Sequence, residues 1–284
     1  MSNLTENDAS ACVKPLTRSL VKDVVSGGAT LQKFIGVAGC GDAPVTTGGA
    51  NDFVNHAVNG LYELQTDAHS ISGYDEGYYW RGVDIGSRGI RILKKTSDGT
   101  WNIVRASTVK YSNSATGSVP PATGWVTEST GIAPPPTLLF NTLITEQTPV
   151  ALTNCSVVSR NQEAGEITLK STVASGTKTI EFGDATGISD GDLYVVGYQI
   201  KDDGNVTVAA NVRFGQYGAF VRSSSTFGGS TSYRGEGWQQ EFGKDRFGAD
   251  VTIDTNVGLQ FQHYGSTWAE NGELTFKNLR VMIA

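Results

Sequence analysis

Between Val251 and Ala284 the apolar residues alternate, and the alternation changes phase once. Val251 and Ile253 share one parity, continued by Val257, Leu259 and Phe261. After a loop, Leu274 and Phe276 share a parity, and then Leu279, Val281 and Ile283 take the opposite one. Alternation at period two marks a strand with one buried face. A phase change at Lys277-Asn278 predicts a β-bulge, because a strand slipped by one residue would otherwise turn every side chain to the wrong side. A closing strand this apolar has to lie inside a sheet, so the rest of the C-terminal half has to supply its neighbours.

Those neighbours are legible upstream. EITLKSTV, TKTIEFGDA, DLYVVGYQIK, NVTVAANVRF and YGAFVRSSS are short alternating segments separated by Gly, Asp and Asn turns such as Asp203-Gly204. Strands at this spacing predict a sandwich or barrel. Composition agrees: 35 glycines, 2 methionines, 38% hydrophobic and 18% charged residues describe a folded, turn-rich chain. At 284 residues there is room for one large or two medium domains.

Residues 1–29 form an N-terminal attachment segment with a short helix. Leu16, Leu20 and Val24 lie four apart with Val13 and Val21 beside them, Pro15 suits the first helical position, and Ser26-Gly27-Gly28 would end the helix. So short a helix needs a partner surface, which is either the chain's own first domain or a larger assembly. Residues 30–111 form a small antiparallel β module. KKTSDGTWNIV reads as a hairpin turning at Asp98-Gly99, and Ile90, Ile92, Trp101 and Ile103 form a core face. Residues 112–138 hold five of the eight prolines and end at Pro134-Pro135-Pro136, which reads as a stiff linker. Residues 139–284 are the large β-sandwich.

Charge and motifs exclude several functions. The net charge of −6 leaves no basic footprint for nucleic acid, and the cluster from Arg88 to Lys95 is interrupted by apolar residues. Cys12, Cys40 and Cys155 are odd in number and widely spaced, which reads as free thiols and a reducing compartment. The N-terminus shows no signal peptide, and no run of about 18 apolar residues predicts a membrane span. His56, His69 and His263 join no recognisable catalytic motif. The carboxylates Asp184, Asp190, Asp192, Glu236, Glu241 and Glu270 fall at turns and strand ends, so the chain reads as a non-enzyme.

Two kinds of site remain. GDATGISDGD places Asp184, Asp190 and Asp192 in one loop, an oxygen-rich set that suits a structural Ca²⁺; turn-capping aspartates are the alternative. No other cofactor is implied. For ligand binding, flat rings beside forked donors suit a sugar. Trp268, Tyr264, Tyr233, Phe227, Arg222 and Arg234 are the candidates. Trp268, in the polar loop GSTWAENG, is expected to be exposed, for a glycan or for a subunit interface. Tyr194 and Tyr198 alternate with Val196 and Ile200 and read as core.

Two resemblances add to this. NGLYEL, YYW, the W-x-I strand at Trp101 and Ile103, Tyr111-Ser112, PPATGW from Pro120 to Trp125 and the closing PPP-T-L occur in an order that resembles a small β module recurrent in phage and surface-type proteins. GISDGDLYVVGYQIKDDG, EGWQQEFGKDRFGADVTID, LQFQHYG and GELTFKNLRV resemble the jelly-roll sandwich of carbohydrate-binding modules, a scaffold that recurs at phage fibre tips. Together they imply an all-β phage virion protein: a tail- or head-fibre or appendage subunit, a homotrimer, assembled in the host cytoplasm. It would join other virion proteins through its N-terminal segment and recognise host-surface glycan. A decoration or cement role without glycan binding is the alternative.

Overall fold

A computed structural model describes residues 24–26, 29–41, 58–66, 71–75, 78–80, 89–147, 149–185, 189, 191–203, 207–215, 222–228, 231–241, 257–264 and 267–284. Every element among them is a strand, and every strand pairing is antiparallel. The expected N-terminal helix is not found there. Leu16 and Leu20 lie outside the described residues, whereas Val24 and Val25 belong to β1 (Val24–Ser26), which pairs with β2 (Ala29–Leu31). The four-residue spacing that reaches Val24 therefore does not make its end helical; β-branched Val24 and Val25 pair with Leu31 and Thr30 instead.

The first module is one eight-stranded sheet. Its strands are β3 (Phe34–Ala38), β4 (Gly60–Gln65), β5 (Tyr78–Trp80), β6 (Ile90–Lys94), β7 (Trp101–Arg105), β8 (Thr108–Asn113), β9 (Val126–Thr127) and β10 (Thr137–Leu139), in the order β10-β3-β4-β5-β6-β7-β8-β9. The expected hairpin joins β6 to β7, with Gly99 at φ +71° in its turn. Ile90, Ile92, Trp101 and Ile103 enter one core with Tyr62, Tyr79, Tyr111 and Trp125. The buried polar tips of that core are satisfied by backbone: Trp101 Nε1 donates to Gly117 O, Trp125 Nε1 to Pro121 O and the Tyr111 hydroxyl to Ile132 O. The bonds from Trp101 and Tyr111 fasten the proline-rich stretch onto the sheet, and the one from Trp125 closes a turn within it. Its end is not a free linker: Thr137–Leu139 pairs with β3, and Gly41 N donates to Pro134 O.

The second module follows after a single residue. Its strands are β11 (Asn141–Thr145), β12 (Pro149–Thr153), β13 (Cys155–Asn161), β14 (Glu166–Ser171), β15 (Lys178–Ala185), β16 (Leu193–Asp202), β17 (Thr207–Gly215), β18 (Arg222–Gly228), β19 (Arg234–Glu241), β20 (Val257–His263) and β21 (Glu273–Ile283). A six-stranded sheet runs β13-β14-β21-β16-β19, with β11 also paired to β21, and a five-stranded sheet runs β12-β15-β20-β17-β18. They face each other across one core. Ile167, Leu169, Tyr194, Val196, Tyr198, Ile200, Leu274, Phe276, Leu279 and Val281 come from the first sheet, and Ile180, Phe182, Leu259 and Phe261 from the second. At its centre Phe182 and Phe261 stand edge to face at 5.8 Å, and Tyr198 meets Phe261 the same way at 5.2 Å.

The last strand occupies the middle of its sheet, as its apolar pattern requires. The bulge lies where the phase changes: β16 and β21 shift register between Gly197 and Gln199, and Asn278 takes φ +52°. On the other side of β21, Asn278 N donates to Gly165 O in the turn between β13 and β14. Leu274 and Phe276 before the bulge, and Leu279 and Val281 after it, thereby share the core face.

The outer face of the six-stranded sheet carries the first module. Val195 and Met282, fully buried and on the face opposite the sandwich core, pack with Phe34, Ala38, Leu61 and Leu139. Phe34–Ala38 is buried along its whole length because one side faces its own module and the other faces the sandwich. Contacts between the modules run from β3 and β4 to β16, β19 and β21. The outer face of the five-stranded sheet is therefore the sandwich face turned away from the first module.

Candidate functional site

Of the six expected ligand-binding residues, Trp268, Tyr233 and Tyr264 have described side chains, and these three lie in different places. Trp268 is 2% exposed, not exposed as expected. Asn271, at φ +64°, turns the chain tightly, Gly272 N donates to Ala269 O, and the indole Nε1 donates to Gly272 O at 2.8 Å. The ring thus folds back between the sheets, 6.3 Å from His263, and joins the sandwich core. Its loop reads as polar because the turn itself is; the apolar residue just ahead of the Asn-Gly turn is the one that points inward.

Tyr233 lies elsewhere, on the outer face of the six-stranded sheet. Lys201 Nζ and Lys277 Nζ sit 4.5 and 5.2 Å from its ring centroid, and Lys277 pairs with Glu166 at 3.4 Å. Burial, and then the Glu166 carboxylate beside it, push the Tyr233 phenol well above the usual range. Arg234 pairs with Ile200 on β19, while Arg222 and Phe227 pair with Val212 and Val208 on β18; these three side chains lie outside the described residues.

The loop aspartates are resolved in part. Asp192 accepts a hydrogen bond from Ser189 N at 2.8 Å, which is turn-capping geometry. Asp190 and the Asp184 side chain lie outside the described residues. Among the described residues no group of three or more His, Cys, Asp or Glu is arranged to hold a metal. No helix among them is long and apolar enough to cross a membrane.

Tyr264 stands on the outer face of the five-stranded sheet, and it has company there. β20 alternates Leu259, Phe261 and His263 inward with Gln260 and Gln262 outward, and Tyr264 continues the outward row at 52% exposure. On β15, Ile180 and Phe182 point inward, and Glu181 stands opposite Gln260 in register. Gln260 Nε2 donates to Glu181 Oε1 at 2.6 Å, and the Tyr264 hydroxyl donates to Gln262 Oε1. On the far side, β17 sets Arg213 opposite Gln260 and Asn211 opposite Gln262 in register. Ala151 and Thr153 of β12, both exposed, extend the rows the other way and leave the face low at that edge.

This surface holds a carboxylate, two amides and a half-exposed ring on rigid strands. Each amide offers donors and an acceptor, the carboxylate accepts only, and the ring is flat and apolar with a polar tip. Such a set can bind several hydroxyl groups at once and cover the C–H face of a sugar. Sequence reasoning selected Tyr264 but missed Glu181, Gln260 and Gln262. The signal was the polar half of the alternating QFQHY, set against the neighbouring TIEF.

The chain matches no protein-family model and no curated protein. Among solved structures it is similar to a carbohydrate-binding module described as "CBM4 structure and function", with 18% identity, 44% of this chain and 87% of that one covered, and a TM-score of 0.32. It is also similar to the N-terminal cellulose-binding domain of the Cellulomonas fimi β-1,4-glucanase C, with 16% identity, 42% and 78% covered, and a TM-score of 0.32. A family 35 carbohydrate-binding module from Clostridium thermocellum is similar at 14% identity, 50% and 98% covered, and a TM-score of 0.34.

Proposed function

We propose that the protein is a glycan-recognition protein whose five-stranded sheet receives a polysaccharide segment on its outer face. The observation that carries this reading is the paired row Glu181–Gln260 and Gln262–Tyr264, on the sandwich face that the first module leaves open. Strand-borne side chains are already ordered by the ladder, so little conformational entropy is lost on binding. The sandwich is read as a jelly roll. The first module, packed on the opposite face, acts as the base that holds this face outward. The setting we assign is a phage virion appendage, as a homotrimer; its support is the order of sequence motifs in the first module. In this reading the protein binds the glycan without cleaving it.

The test is affinity electrophoresis of the full-length protein through gels containing soluble polysaccharides, including surface polysaccharide of candidate bacterial hosts. Retardation by at least one of them, reduced in Tyr264→Ala at unchanged melting temperature, is the expected result. Unretarded migration in every gel by a folded protein would refute the reading.

A further inference from the structure

The face has a charge pattern that discriminates between glycans. Glu181 is half-buried in the middle of it, with Gln260 on one side and Ala151 on the other. Gln260 Nε2 fixes one carboxylate oxygen, Oε1, at 2.6 Å. Gln260, Gln262 and Tyr264 are uncharged. None of the ion pairs formed among the described residues involves Glu181. The nearest cationic residue in register, Arg213, is two strand spacings away, roughly 9–10 Å, with Gln260 between them. An unpaired carboxylate fixed at one oxygen is an acceptor for sugar hydroxyls and a repulsive neighbour for a sugar carboxylate or sulfate.

We infer that Glu181 makes this face selective for neutral, hydroxyl-rich glycans over uronic-acid or sulfated ones. The inference rests on the reading that the face binds glycan. A hydroxyl donating to the carboxylate makes a charge-assisted bond, and replacing that acceptor with a neutral amide weakens binding by about tenfold. An anionic sugar in the same place meets repulsion of similar size, which falls with ionic strength because the face is open to solvent.

The experiment is calorimetric titration of the full-length protein and of Glu181→Gln, with melting curves for both. The probes are neutral xylan, mixed-linkage β-glucan and mannan, set against alginate, polygalacturonate and a sulfated galactan. The wild type is expected to bind at least one neutral probe at least tenfold more tightly than any acidic one, with the gap narrowing between 20 and 200 mM salt, an expectation from screening. Glu181→Gln is expected to narrow the gap at low salt by about a hundredfold, about tenfold from each of the two effects. Tightest binding to an acidic probe, or a wild-type gap insensitive to salt, overturns the selectivity and leaves glycan binding intact. Binding of no probe by the folded wild type overturns the glycan reading itself, and the selectivity with it. The salt series uses the wild type alone, so it decides the matter even where the variant folds poorly.

Discussion

The guanidinium of Arg280 lies over the ring of Phe34, 4.9 Å from its centroid, while its Nη1 donates to Glu146 Oε2 at 2.5 Å. One side chain of the last strand thereby touches both modules. Arg280 stands after the bulge on the outer side of β21, beside Met282, and Phe34 begins the first module's core strand. Glu146 is 1% exposed, and its Oε1 also accepts from Gln147 Nε2. The base of the sandwich and the seat of the first module are thus built from the same residues.

Arg280→Ala leaves Glu146 as a buried carboxylate without its cation. The expected loss is about 3–5 kcal/mol, the usual cost of removing one partner of a buried ion pair. Arg280→Lys recovers part of it, since an ammonium lacks the planar fork and stacks less well on Phe34. Urea unfolding of the two variants measures this. A loss near zero for Arg280→Ala contradicts the pairing.

The shared apolar seam couples unfolding of the modules. Val195 and Met282 against Phe34, Ala38, Leu61 and Leu139 form a buried apolar patch. Calorimetric melting of the wild type is expected to show one transition, and Met282→Asp, which places a charge in the seam, two. Two transitions in the wild type would show that the seam does not couple them.

Trp268→Ala is expected to cost about 3–5 kcal/mol, because it empties the end of the core and removes the bond to Gly272 O. It is a stability mutation, and its effect on glycan affinity, measured under conditions where the variant is folded, is small. An unchanged melting temperature would place the indole outside the core.

Cys155 is expected to be chemically quiet. Burial pushes its thiol up to about 12 from an ordinary 9.0, and the nearby Lys178 and Thr179 amide offset this only in part. A raised thiol value means the folded state resists deprotonation, so this group's contribution to stability is present below pH 9 and is lost as pH rises toward 12. At pH 8 the thiolate fraction is lowered by about a thousandfold relative to the unfolded chain. Alkylation followed by peptide mass mapping reads Cys155 separately from Cys12 and Cys40. Native labelling of Cys155 as fast as in urea contradicts the burial.

Gly165 takes φ +66°, and a Cβ there would lie 2.8 Å from Asn278 Oδ1 and 3.4 Å from Glu146 Oε1. Gly165→Ala therefore strains both the turn and the bulge it faces. A loss of about 1–3 kcal/mol is expected, read from the shift in urea midpoint. An unchanged midpoint would show that the turn relaxes freely.

Much of the sandwich was legible because alternation reports burial directly. The bulge at Asn278, the core positions of Tyr194 and Tyr198, and the β6–β7 hairpin were all visible as phase or turn signals. The seam between modules was written less plainly, in consecutive apolar pairs such as Val195-Val196, Val281-Met282 and Leu138-Leu139. A strand reads so when both its faces are covered. The pairing of β10 with β3 joins residues about a hundred apart, and no local pattern encodes it. Trp268 misled because exposure was inferred from its polar neighbours, whereas the Asn271 turn decides where the ring goes. The proposed binding face was missed for the opposite reason. Glutamine and glutamate on an outward strand face look like ordinary solvated residues until register sets them side by side.

The most direct test is calorimetric titration of the best-retained polysaccharide into the wild type and into a Gln260→Ala, Gln262→Ala double variant. Both glutamines point outward from β20, so the fold and its melting temperature should hold. A loss of affinity of at least tenfold is expected, from the removal of two side chains that hydrogen-bond the ligand. Undiminished affinity in a folded double variant would place the glycan elsewhere and contradict the assignment of this face.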